Sequence, residues 1–205
     1  MKNVKYLHNI HKGETIYIIG SGKSMEFINP EFFRDKITIG LNFTYRDFPI
    51  KYAMSHHHFV VKKMISTGLT VITSEHDTCF FAKPIHSFDG IYYYYKHKEQ
   101  GYTQIDLNVF DDPEYLVAAG SITTTALHCA YRMGASTIIA CGIDGGTIDG
   151  QMNYAAYCNP TNRDHPSNVT GQIKKMVDAI RNRGTEVYSL NPWINFSLEG
   201  HTWEP

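Results

Sequence analysis

No run in this 205-residue chain approaches the ~18 consecutive apolar residues of a membrane helix, and residues 1–12 are polar, without the apolar segment of a signal peptide. A soluble, cytoplasmic protein with no transmembrane segment is therefore expected. Cysteine is scarce. Cys79, Cys129, Cys141 and Cys158 lie far apart with no CxxC pair, which argues against a structural zinc site or a thioredoxin-type centre and points to reduced thiols. Neither sign of charge predominates: 19 Lys and Arg stand against 20 Asp and Glu, a formal net charge of -1. No overall field then steers the chain to nucleic acid or to an acidic membrane. There is no GxSxG elbow, no HExxH motif and no Asp-x-Asp pair, so the standard hydrolase and zincin motifs and the usual metal-diphosphate anchor are missing.

What the chain does contain is a core. With 42% hydrophobic and 13% aromatic residues, it has the length and composition of a single domain, residues 1–205. Such a chain buries about 70% of its unfolded surface without disulfides or a structural metal. Thr15–Ile19 is a β-branched and aromatic run that stops at Gly20-Ser21-Gly22, after which Ser24 can cap a helix over 25–33. Apolar runs at 36–41, 51–54, 69–73 and 90–95 read as further strands, the last an amphipathic one rather than an aromatic recognition platform.

Residues 123–133 carry Ala126, Leu127, Ala130 and Met133 at helical spacing; Gly134 closes that helix and Thr137–Cys141 follows as a strand. A second such unit has Ile173, Met176, Val177 and Ile180 on one face of a helix over 168–183, then Gly184, then a strand over 186–190. Alternating strands and helices predict an α/β fold, a Rossmann-like, mainly parallel sheet with helices on both faces. Residues 145–166 interrupt the pattern: they are polar and aperiodic, and at that length form a candidate lid.

Ligands of open parallel sheets bind beyond the carboxyl ends of the strands. Four segments fall there: Gly20-Ser21-Gly22-Lys23-Ser24, Leu41-Asn42, Gly120-Ser121-Ile122-Thr123 and Gly142-Ile143-Asp144. The first combines glycines that let backbone approach a ligand with a helix N-terminus that favours an anion such as phosphate. It matches neither standard nucleotide motif, because Tyr17 and Met25 stand where a P-loop and a dinucleotide fingerprint each need glycine. A glycine turn without a ligand is the alternative. Asn42 fits a contact to a base or ribose, or else a turn. Ser121 to Thr125 supply more hydroxyls than one helix cap requires.

Within the candidate lid, Tyr154 and Tyr157 are placed to hydrogen-bond a leaving phosphate or to cover the core edge, and His165, at its far end, to accept a proton. His56-His57-His58 reads as an extended segment whose neighbouring side chains point to opposite faces, which disfavours chelation of one ion.

At these residues the chain resembles the bacterial sialyltransferases of glycosyltransferase family 42. In that pattern a Gly-Asn-Gly-Pro-Ser loop follows the first strand, where Gly20-Ser21-Gly22-Lys23-Ser24 stands here, and a Cys-Asn pair follows the second, where Leu41-Asn42 stands. The Gly-Ile-Asp at Gly142-Ile143-Asp144 matches. The family's Ser-Gly nucleotide contact falls on Ile122-Thr123, a departure from the pattern. Tyr154 and Tyr157 are similar to the family's lid tyrosines, and Asp164-His165-Pro166-Ser167 to the segment of its catalytic histidine. Gly120-Ser121-Ile122-Thr123 and the residues after it also resemble the 6-hydroxymethylpterin pyrophosphokinase-like proteins of Rossmann type.

The first resemblance implies an inverting, metal-independent transferase that needs no cofactor, with a CMP-sugar as donor and a glycan or small molecule as acceptor. Its nucleotide would lie on Gly20, Ser21, Gly22, Asn42, Ser121, Thr123 and Asp144. His165 would serve as base, and Tyr154 and Tyr157 would stabilise the departing phosphate. The second implies a pyrophosphokinase using Mg and ATP; a nucleotide-binding module without turnover is a third reading. A homo-oligomer is compatible with any of them.

Overall fold

The β-branched runs become the strands of one sheet. A computed structural model of the protein describes residues 2–74, 91–94, 105, 107–108, 110–119, 121–145, 148–151 and 167–190. Among these, β1 (Lys2–Asn3), β2 (Thr15–Ile19), β3 (Ile37–Leu41), β4 (Tyr52–Met54), β5 (Thr70–Ser74), β6 (Ile91–Tyr94), β7 (Thr137–Cys141) and β8 (Glu186–Ser189) form a sheet in the order β1-β6-β5-β4-β3-β2-β7-β8. Every pairing in it is parallel. From β2 the chain steps outward through β3 to β6, then returns to the other flank of β2 for β7 and β8. The order therefore reverses between β2 and β7, which is where ligand crevices open in such sheets.

Strand alternation sorts the core into two layers. Ile16 and Ile18 of β2, Ile39 and Leu41 of β3, and Ile138 and Ala140 of β7 pack against α2 (Ile122–Arg132) and α3 (Ser167–Arg181). On the opposite face Ala53 and Val71 meet Val60, Val61 and Met64 of α1 (His58–Ile65). Ile19 and Cys141 of that face meet Met25, Phe33 and Phe48. The expected α/β architecture with helices on both faces is thus present. No helix among the described residues is long and apolar enough to cross a membrane. Cys129 and Cys141 are free buried thiols, and burial pushes Cys129 up to about 12 and Cys141 up as well, which leaves them unreactive.

Two local expectations are corrected, and two further elements are present. The helix over 25–33 is instead two 3-10 turns, Lys23–Phe27 and Pro30–Phe33. Pro30 lacks an amide hydrogen and keeps Asn29 extended (φ -65°, ψ 123°), while the Asn29 side chain accepts from Glu31 N. The histidine triplet is not extended throughout: His57 is the N-cap of α1 and His58 its first residue. α1 itself has no counterpart in the sequence reading, because eight residues with the β-branched pair Val60-Val61 carry no clear helical period. The polar N-terminus also contributes more than expected, as β1 and a 3-10 turn over Val4–Leu7 that buries Val4 and Leu7.

One buried polar group fixes the segment leading into α2. His128 is fully buried; its Nδ1 accepts from Val117 N at 2.9 Å and its Nε2 donates to Phe110 O at 2.8 Å. Only the neutral ring protonated at Nε2 satisfies both bonds. Desolvation, with Arg132 and Arg183 nearby, pushes its pKa down to about 3. Because the folded value lies below the unfolded value near 6.5, the stabilisation is complete above pH 6.5 and is lost as pH falls toward 3.

At pH 4.5 this lowers stability by about 2.5 kcal/mol relative to pH 7, at 1.36 kcal/mol per pH unit. Urea denaturation at the two pH values is expected to show this loss in the parent chain and to show most of it removed in His128→Gln. The His128 ring resonances should stay at neutral positions down to pH 4.

Candidate functional site

The loops after β2 and β7 are bonded to each other before any ligand is considered. Gly20 N donates to Cys141 O at 2.7 Å and Gly22 N to Gly142 O at 2.8 Å, so the sheet ladder continues past the strand ends. The approach leaves no room for side chains. A Cβ on Gly20 would lie 2.4 Å from Gly142 O, and one on Gly22 2.7 Å from the Asp144 carboxylate. Gly142 has φ +63°, and a Cβ there would meet Met25 Cγ at 2.4 Å. The first demand on these glycines is therefore the fit of one loop against the other.

Asp144 is the clasp between them. Its Oδ2 accepts from Ser24 N at 2.9 Å and its Oδ1 from Ser24 Oγ, with only 5% of the residue exposed. Burial pushes the carboxyl up, opposed by the bonds from Ser24 and from the Lys23 backbone. The only cation of the glycine loop, Lys23, pairs with Glu26.

Asn42 combines a turn with a presented donor. It sits just past β3 at φ +52°, in the left-handed region that asparagine tolerates better than most residues. Its Oδ1 accepts from Ser55 Oγ at 2.9 Å, and the same Oγ accepts from His57 N at 3.1 Å. That chain fixes the amide orientation, and among the described residues Asn42 Nδ2 has no protein partner. On α2, Ser121 is the N-cap and accepts from Thr123 N at 3.2 Å, while Thr124 Oγ1 donates to Ala119 O and Ser121 O. Two of the four hydroxyl residues are thus used by the helix start itself. Among the described residues Thr125 Oγ1 is buried without a partner, and Thr123 remains at the surface of a cavity.

That cavity, about 150 Å³, is where the segments meet. Gly20, Ser21, Gly22, Asn42, Ser121, Thr123 and Asp144 all line it, although they come from the ends of three strands and the start of a helix. The sequence reading missed its fourth wall, Val169, Thr170 and Ile173 from the first two turns of α3. Two helix N-termini therefore open on one space, and among the described residues the only ionisable side chain lining it is Asp144, already engaged by Ser24. Such a wall favours an anion through amides and helix dipoles rather than through cations.

Gly120, Tyr154, Tyr157 and His165 lie outside the described residues. Of the candidate lid, 148–151 is described as a tight reversal in which Ile148 and Gln151 exchange backbone hydrogen bonds around Asp149 (φ 51°) and Gly150 (φ 72°).

No protein-family model matches the sequence, and no curated protein matches it. A solved structure does. The sialyltransferase CstII from Campylobacter jejuni, in complex with a substrate analogue, cytidine-5'-monophosphate, superposes with a TM-score of 0.49 at 13% identity, covering 95% of this chain and 86% of that one. A likeness at this level transfers no activity and no residue roles.

The Asp144 clasp has a direct test. Asp144→Ala leaves the Ser24 amide and hydroxyl without their acceptor, and is expected to lower stability by about 1–3 kcal/mol in urea denaturation. A loss below 0.5 kcal/mol would show that the carboxylate is not what holds the two loops together.

Proposed function

We propose that the protein is a nucleotide-sugar-dependent glycosyltransferase, sialyltransferase-like, with a CMP-sugar as its donor. The observation that carries this reading is the single cavity lined by seven residues chosen from sequence alone. Its character agrees with a donor that carries one phosphate. Backbone amides, the Ser121 and Thr123 hydroxyls and Asn42 Nδ2 are neutral donors suited to one negative charge. At about 150 Å³ the cavity is smaller than the 300–1,000 Å³ usual for a small-molecule site, so it would enclose part of a nucleotide and leave the remainder outside it.

The chemistry follows from the sequence resemblance. The acceptor hydroxyl oxygen attacks the anomeric carbon as the bond to the phosphate oxygen breaks, with inversion; the proton passes to His165 and CMP departs. Tyr154 and Tyr157 donate hydrogen bonds to the leaving phosphate, a role in which a preorganised donor is worth ~2.7–4 kcal/mol by analogy with oxyanion holes. A lid closing over the sugar would exclude water, which otherwise competes with the acceptor.

Millimolar CMP without added metal is expected to raise the melting temperature, through a mass-action gain of ~2.7 kcal/mol at a hundredfold excess over Kd. Asn42→Asp keeps the acceptor for Ser55 but replaces the amide donor with a charge that repels phosphate. It should weaken CMP binding at least tenfold with the fold retained. His165→Ala should bind CMP normally and lose transfer. If no cytidine nucleotide shifts the melting curve while ATP with Mg²⁺ does, the CMP-sugar reading is wrong.

A further inference from the structure

Beside the cavity lies a surface that the donor reading leaves unused. Asn42, in the cavity wall, is followed immediately by Phe43 in the 3-10 turn Asn42–Arg46, and α1 starts at the same edge of the sheet, one strand over. Because Val60, Val61 and Met64 turn inward to the core, α1 presents Phe59, Lys62 and Lys63 outward. Phe59 is 56% exposed, an uncommon position for a phenylalanine. It stacks on His57 with ring centroids 5.8 Å apart and lies 6.2 Å from Phe43. Arg46 lies over the Phe43 ring at 4.4 Å and Lys63 at 5.8 Å. Among the described residues neither of these exposed cations has a carboxylate partner.

Two unpaired cations held near one ring, next to an exposed aromatic face, form a surface with two complementary demands. The cations ask for an anion, and the Phe59 ring asks for a flat, weakly polar face such as the C–H face of a sugar. The surface is also joined to the cavity by the hydrogen-bonded chain from Asn42 through Ser55 to His57. We infer that Phe59, Arg46 and Lys63 form an acceptor subsite for a sugar bearing a phosphate or carboxylate group. As an acceptor site the assignment rests on the transferase reading. As a binding site for an anionic sugar it stands on the patch itself. A membrane surface is less well served, since α1 exposes one large apolar side chain rather than a continuous apolar face.

The test is a protein-observed NMR titration of the full chain, without nucleotide, using glucose 6-phosphate, glucuronic acid, glucose and inorganic phosphate as probes. The two anionic sugars are expected to bind at least tenfold more tightly than glucose, and glucose 6-phosphate more tightly than phosphate alone. The phosphate and carboxylate arms tell which anion is preferred. Arg46→Gln with Lys63→Gln should weaken both anionic sugars at least tenfold, and Phe59→Ala should bring glucose 6-phosphate down to the level of phosphate. All three residues are at the surface, so the variants should keep the parent melting temperature. A wild-type chain without a CMP shift would count against the transferase alone, because the sugar titrations are read independently. Equal binding of glucose and glucose 6-phosphate, or unchanged binding in the double variant, would overturn the subsite. So would vesicles containing anionic lipid that bind more tightly than the sugars and are released by the same substitutions.

Discussion

The mutual fit of two loops at the reversal of strand order is the constraint on which the site depends. Gly20, Gly22 and Gly142 pack backbone against backbone, and Asp144 closes the contact by accepting both the amide and the hydroxyl of Ser24. The cavity wall is thus set by bonds within the protein. Asn42, Ser121 and Thr123 then arrive at it because each follows a strand or opens a helix at the same edge of a parallel sheet. A ligand would meet a surface already assembled, which reduces the ordering cost of binding.

Much of this arrangement was legible in the sequence. Strand ends marked by Gly20, Asn42 and Gly142 are local signals, and the topology of parallel sheets converts them into neighbours in space. The roles of the residues were less legible. Asp144 looks like a ligand contact until Ser24, 120 positions away in the chain, is seen to occupy it. Asn42 looks like either a turn or a binding residue; its left-handed backbone makes it a turn, and its amide, held by Ser55, still lines the cavity.

Other features left no readable trace. α1 hides in a short β-branched run, and Val169, Thr170 and Ile173 reach the cavity only through the tertiary packing of α3 against α2. His128 is a reminder that a titratable residue among hydroxyl-rich neighbours need not be functional. Its bonds to Val117 and Phe110 hold it neutral inside the core, where it positions the segment leading into α2. The proline at position 30 was the opposite case, a visible signal whose effect is to divide one expected helix into two short turns.

The near absence of formal charge in the described cavity wall has a further consequence. An anion held by amide dipoles and neutral donors gains little from each additional negative charge it carries, because among the described residues lining the cavity there is no guanidinium or ammonium to meet it. Abundant polyphosphates would then bring electrostatic cost into this space without compensation. The crevice would discriminate among nucleotides by how few charges they bear, and its affinity would vary less with ionic strength than that of a lysine-lined pocket.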